Sequence, residues 1–296
     1  MIFLFGSIVL TSYLLLSFKV CGRFNIPVFP AIVFNYITCV VTGSVVNGSF
    51  PIDADSFSRP WFQWAMVMGT LFITSFNLIG MTAQKIGVSV ASVANKLSLI
   101  IPVILSVILY GEKVVGWEIV GIVLAMVAVV FTCYPQSEDS SGTSNLSMLQ
   151  KIGLPALVFI GSGFLDALIN HVQQLHVTKE TNNAFLISGF LSAATIGLLA
   201  LMYQYNNRKL VFHTNQVIAG ICIGIPNYFS IWCLVQFLQD SPWETSASIP
   251  VNNMGIVLFS TLVAAILFKE KLSAINWAGI VLSAIAIYLI AFGNTL

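Results

Sequence analysis

VSVASVANKLSLIIPVILSVILYGEK, residues 88–113, is an apolar stretch with Lys96 inside it and Glu112-Lys113 at its end. The chain later repeats the pattern as ASIPVNNMGIVLFSTLVAAILFKEKL, residues 247–272, which ends on Glu270-Lys271. A single offset of 158 residues aligns Glu112 with Glu270, Asn95 with Asn253 and Leu109 with Leu267. The same offset aligns Gly121-Ile-Val-Leu with Gly279-Ile-Val-Leu. A duplicated unit accounts for all of these matches at once. Lys96 is not copied, because its counterpart is Met254.

Outward from that stretch, composition sets the class. Charged residues make up 8% of the 296 and hydrophobic residues 57%, with a mean hydropathy of +0.93. A soluble globular domain carries about 25% charged residues, so the chain reads as an all-α integral membrane protein. A net charge of +1 points to no nucleic acid or other polyanion as partner. The five cysteines, Cys21, Cys39, Cys133, Cys222 and Cys233, lie in or beside apolar runs without metal-ligand spacing. No cofactor or metal is expected. The first apolar run lacks a basic leader and reads as a membrane helix, not a cleaved signal.

A bilayer-spanning helix needs about 20 apolar residues. Ten runs meet or approach that length: 2–20, 28–48, 61–83, 88–110, 115–134, 152–175, 184–203, 214–238, 247–268 and 274–293. The polar break Pro135–Lys151 has the composition of a linker. It divides the chain into a first repeat at 1–134 and a second at 152–296. Five is odd, so the second unit enters the membrane from the opposite side, giving two inverted five-helix repeats. Gly121 with Ala125 and Gly279 with Ser283 place small residues one turn apart, for close packing within one molecule or in a homodimer.

Lys96 and Asp166 are the charged residues that fall well inside an apolar run. Each costs about 2.5–3.5 kcal/mol at a helix centre, which makes it a functional candidate. Lys96 reads as a cation for a substrate's anionic group, or as a lysine tethered to carbonyls or to Asp166. Ser162, Asp166, Asn170 and Gln173 share a helix face. Asp166 reads either as a proton carrier with its pKa raised by burial or as a counter-ion to Lys96. His171 reads as packing. Thr70, Thr74, Asn77 and Gln84 form a second stripe, and Tyr228, Trp232 and Gln236 a third, with Asn227 nearby.

Asn95, Asn252 and Asn253, with Ser92 in support, complete the polar set expected to line a solute path. Pro250 and Pro102 each free a backbone carbonyl in their helices. Glu112 and Glu270 read as carboxylates favoured by the dipoles of the helices that follow them. No phosphate loop, HExxH motif or nucleophile elbow is present, and a second mid-helix aspartate for an intramembrane hydrolase is lacking. The chain is not expected to be an enzyme.

Pro102 through Gly111-Glu112-Lys113 to Gly121, and Ser260 through Lys269-Glu270-Lys271 to Gly279, resemble the closing helices of each half in the EamA-like family of the drug/metabolite transporter superfamily. The likeness runs from about residue 2 to 292, with Lys269 where the family often has glycine. It implies a secondary transporter of small metabolites, often an exporter, in the plasma membrane, with a cavity built from both halves. It also implies cytoplasmic termini, whereas the loop lysines and arginines place both termini on the other side. A passive channel and a non-transporting scaffold are the alternatives in function.

Overall fold

The computed structural model describes residues 2–53, 55–110, 116–132, 147–178, 180–207, 211–240, 245–270 and 272–293. Most of these residues are helical, with no strand among them. The α-helices are α1 (Ile2–Arg23), α2 (Val28–Asn47), α3 (Pro60–Lys85), α4 (Val88–Leu97), α5 (Ile100–Tyr110) and α6 (Gly116–Thr132). After the linker come α7 (Met148–His176), α8 (Asn182–Asn206), α9 (Thr214–Asp240), α10 (Thr245–Phe268) and α11 (Ala274–Phe292). Seven are long and apolar enough to cross a membrane: α1, α2, α3 and α7 to α10. Shorter apolar helices cover 88–102, 119–132 and 274–290. This is a multi-pass membrane protein.

Two expectations need correction. The run at 88–110 is not one helix; it breaks at Ser98-Leu99 into α4 and α5. The end of the linker is helical as well. Ser147 Oγ accepts from Gln150 N–H at 3.3 Å and Gln150 Oε1 from Ser147 N–H at 3.2 Å. That reciprocal cap starts α7 at Met148, ahead of the expected 152. Residues 133–146, and Gly111, Glu112 and Lys113 with them, lie outside the described residues.

The helices gather into two compact units, each drawn from both halves of the chain. One comprises Met1–Lys19, Leu78–Gly163 and Phe229–Leu296, and the other Val20–Asn77 and Phe164–Tyr228. In the first, α6 packs on α11, and α4 on α10. In the second, α2 packs on α8. Each of these pairs joins a helix to the one that the 158-residue offset assigns to it.

The α6–α11 contact is reciprocal to the residue. A Cβ at Gly121 would lie 2.9 Å from Ile290 Cγ1 and 3.1 Å from the Ala286 carbonyl oxygen. A Cβ at Gly279 would meet Thr132 and, at 2.9 Å, the Ala128 carbonyl oxygen. Thr132 and Ala128 stand 158 residues before Ile290 and Ala286. One surface patch therefore meets its own copy, as at a two-fold interface. The small residues act within one molecule here.

Asn276 ties the same pair at its end. It closes a capping box with Ser273 at the start of α11. Its Nδ2 also donates to the Phe131 and Thr132 carbonyls at 3.1 and 3.0 Å, satisfying the C-terminal end of α6. Replacing Gly121 or Gly279 with Val should destabilise the protein by a similar amount, about 1–3 kcal/mol of overpacking. Gly116→Ala, where nothing approaches the site, should be neutral. Thermal unfolding in detergent measures all three.

Candidate functional site

The break between α4 and α5 follows from Pro102. Proline has no N–H for the Ser98 carbonyl four residues back, and its ring crowds that oxygen. The chain responds with a tighter turn in which Ile101 N–H reaches Ser98 O at 2.9 Å. Ser98 Oγ turns back to the Asn95 carbonyl. Lys96 consequently stands in the last turn of α4 and not near the middle of a long helix. The carbonyl end of a helix favours a cation, which suits Lys96, a half-buried residue. Asn95 beside it is also half-buried.

Ser89, Ser92 and Lys96 follow three- and four-residue steps along α4, a single face. Ser92, fully buried, accepts from Ser260 Oγ of α10 at 2.8 Å. On α10, Asn253 is half-buried and Asn252 is 2% exposed. Among the described residues Asn252 Oδ1 meets no donor. Met254, which holds the place of Lys96 in the second copy, packs on the apolar cluster of Val93, Leu97, Val257 and Ile280. The two repeats thus use one position differently.

Glu270 departs most from its expected role. It does not cap α11, where Ser273 holds that position. It caps α4. Its Oε1 accepts from Val88 N–H at 2.8 Å, and its Oε2 from Ser89 N–H at 3.4 Å and Ser89 Oγ at 3.0 Å. Lys19 Nζ of α1 stands 3.8 Å from Oε1. The two side chains are 9% and 18% exposed, so lipid and water reach them little.

Both backbones at this contact are unusual. Gly87 has φ +157°, and a Cβ there would lie 3.3 Å from the Glu270 carboxylate. Lys269 has φ +52°, the left-handed conformation that a glycine adopts without strain. A side-chain cap contributes about 0.5–2 kcal/mol, and a non-glycine residue in that region costs about 1–2 kcal/mol. The two terms are of similar size.

In the other unit, two helices expose polar faces. Gln63, Val67, Thr70 and Thr74 recur at four-, three- and four-residue steps on α3 and are exposed. The threonine hydroxyls donate to Met66 O at 3.3 Å and Thr70 O at 2.7 Å, leaving oxygen lone pairs outward. On the same helix Asn77 and Gln84 are half-buried.

Asp166 and Asn170 of α7 are exposed, where burial of Asp166 was expected. Ser162, one turn earlier, is buried; the Gln173 side chain lies outside the described residues. Asp166 is two residues, roughly 200°, around α7 from Phe164, which with Leu157 and Ile160 forms an exposed apolar face. Lipid suits that apolar face. An aspartate on the opposite side suits a polar surround, a water-filled cavity or a polar partner.

The aromatic residues pack. Tyr228 is half-buried, with its ring 2.9 Å from where a Cβ on Gly43 would stand. Trp232 meets Phe3 edge-on at 5.6 Å between ring centroids. Gln236 is half-buried on the same helix. His171 lies edge-on to Trp64 at 6.0 Å, as packing requires.

Sequence reading missed one polar pair. Asn35 of α2 is fully buried, and its Oδ1 accepts from Asn227 Nδ2 at 3.1 Å. The Cys39 thiol lies 3.7 Å from the same Oδ1 and 3.4 Å from the Gly224 carbonyl. Gly220 and Gly224, one turn apart, let α9 approach the backbone of α2. The 158-residue offset turns Asn35 and Asn227 into Ala193 and Gly69. Those residues also touch: a Cβ at Gly69 would stand 2.7 Å from Ala193 N. One repeat fills the contact with amides and the other with small residues. An asparagine in an apolar run with a helix-breaking proline beside its partner was the available signal.

No family model matches the sequence. An uncharacterized protein of Haemophilus influenzae (strain ATCC 51907 / DSM 11121 / KW20 / Rd) is 26% identical over 277 residues, covering 91% of this chain and 90% of its own. A solved crystal structure has the same fold, with a TM-score of 0.62 at 14% identity, over 97% of this chain and 94% of its own.

Removing Asn227 would leave a buried amide without its partner, at a cost of about 1–3 kcal/mol. Asn35→Ala and Asn227→Ala should each lower the unfolding midpoint. The double variant should cost less than their sum, with a coupling of about 0.5–3 kcal/mol. Additive losses would mean that the amides do not act as a pair.

Proposed function

We propose that this protein is a secondary transporter of a small organic metabolite, an exporter or exchanger working by alternating access. The observation that carries this reading is the exposed Asp166–Asn170 face of α7, opposite an exposed apolar face of the same helix. A helix with lipid on one side and polar groups on the other borders a water-filled path. The polar face of α3 supports the same reading.

The reciprocal glycine contacts, and helix pairs joined by one offset, support ten spans arranged as two inverted five-helix repeats. Such repeats exchange conformations to open a site first to one side and then to the other. Membership of the EamA-like family of drug/metabolite transporters, and residence in the plasma membrane, follow from the same architecture as proposals. The broken α4 adds to the case, since interrupted helices supply solute contacts in transporters of this kind. Lys96, at the break, would hold an anionic group. Asn95, Asn253, Asn77 and Tyr228 would meet solute along its path. Asp166 is the proposed carrier of a coupling proton.

Four measurements test the reading. A thermal-shift screen across amino acids, sugars and nucleotides should find a stabilising solute, and uptake of that solute into proteoliposomes should saturate. Lys96→Ala should then weaken it tenfold to about a hundredfold, the value of a lost charge-assisted bond of about 1.5–3 kcal/mol. Lys96→Arg should retain most affinity. Asp166→Asn should make uptake indifferent to an imposed pH gradient; uptake that still follows the gradient removes Asp166 as the carrier.

A further inference from the structure

We propose that the Glu270 clamp is a conformational latch, whose release frees the N-terminal end of α4 from the turn between α10 and α11. The proposal deepens the transport reading and rests on it.

A helix N-terminus is ordinarily capped by a residue next to it, as α7 is by Ser147 and α11 by Ser273. The cap on α4 comes instead from 182 residues away in the sequence. Through Lys19 it also draws in α1, so three separate elements meet on one carboxylate. No covalent neighbour holds them together. When the carboxylate leaves, Val88 N–H, Ser89 N–H and Lys19 lose it as a partner in one step.

The backbones around the clamp fit a two-position element. Lys269, immediately before Glu270, is held in a left-handed conformation where a glycine would rest without strain. Gly87, immediately before Val88, takes a dihedral that side chains rarely adopt, with the carboxylate 3.3 Å from where a Cβ would stand. The lysine carries strain there, while Gly87 has the conformational range to move without it. Strained residues of this kind cluster at switch regions.

The test uses accessibility and requires no solute, so it succeeds or fails independently of the transport reading. In the full chain with its five cysteines replaced, Ala91→Cys reports on α4 one turn inside the clamp, at a site fully buried when the clamp is closed. Ala264→Cys on α10, also fully buried, serves as the control. Each is treated with a membrane-impermeant maleimide in open membrane fragments.

Adding Glu270→Gln should speed labelling of the Ala91→Cys reporter at least tenfold and leave the control unchanged. Lys19→Gln, which removes only the ion pair, should give a smaller increase. Protection that persists in a folded Glu270→Gln protein overturns the latch. So does equal acceleration at the control, which means general loosening. Failure of both variants to fold makes the contact a fold determinant alone and also overturns the proposal.

Discussion

Close approach of helix backbones is the constraint on which this structure depends. Apolar side chains gain nothing by leaving lipid for one another, so helices in a membrane associate through tight packing and interhelical hydrogen bonds. Gly121 and Gly279 supply the tight packing for α6 and α11, each against the carbonyl of an alanine on the other helix. Asn276 supplies the hydrogen bonds at one end of the pair. Gly220, Gly224 and Gly69 do the same work in the other unit. A chain with few charged residues and many exposed valines and isoleucines holds together through these small residues.

The reciprocal contacts also limit how far the two copies can diverge. A residue at the α6–α11 interface touches its counterpart's neighbours, so a change in one copy is felt in both. Positions away from such contacts are free to specialise. Lys96 against Met254 and Asn252 against Ala94 differ although α4 and α10 also pack on one another. Asn35 and Asn227 differ from their counterparts as well. They lie at a contact that both copies make, yet replace the close packing of Ala193 and Gly69 with hydrogen-bonded amides. In each case the halves differ in polar groups.

Much of the fold was legible in the chain because length and apolarity decide where membrane helices lie. The apolar runs coincide with helices within a few residues at most ends. The break in α4 was harder to read, since the residues on both sides are apolar and keep one periodicity. Pro102 was visible, but a proline can kink a helix or interrupt it, and Ser98 decided between these by accepting a tight turn. Glu270 could be recognised as a cap but not assigned to its helix. A cap from 182 residues away has no local sequence signature. Asp166 was legible as a residue, while its exposure was not: periodicity gives a face and leaves open whether water or protein covers it.

The position of Lys96 shows how these levels combine. Its charge alone made it notable, but a lysine deep in a continuous helix would need some partner to offset its desolvation. The break supplies part of that offset from the backbone, because the last carbonyls of α4 have no helical N–H to receive. A cation there is stabilised by the backbone itself. The same break ends α4 after ten residues, leaving it too short to be held by its own length. It is held instead at its start by Glu270 and in its middle by Ser260. Both groups belong to the second half of the chain. The lysine that the repeat does not copy is therefore kept in place by the repeat that lacks it.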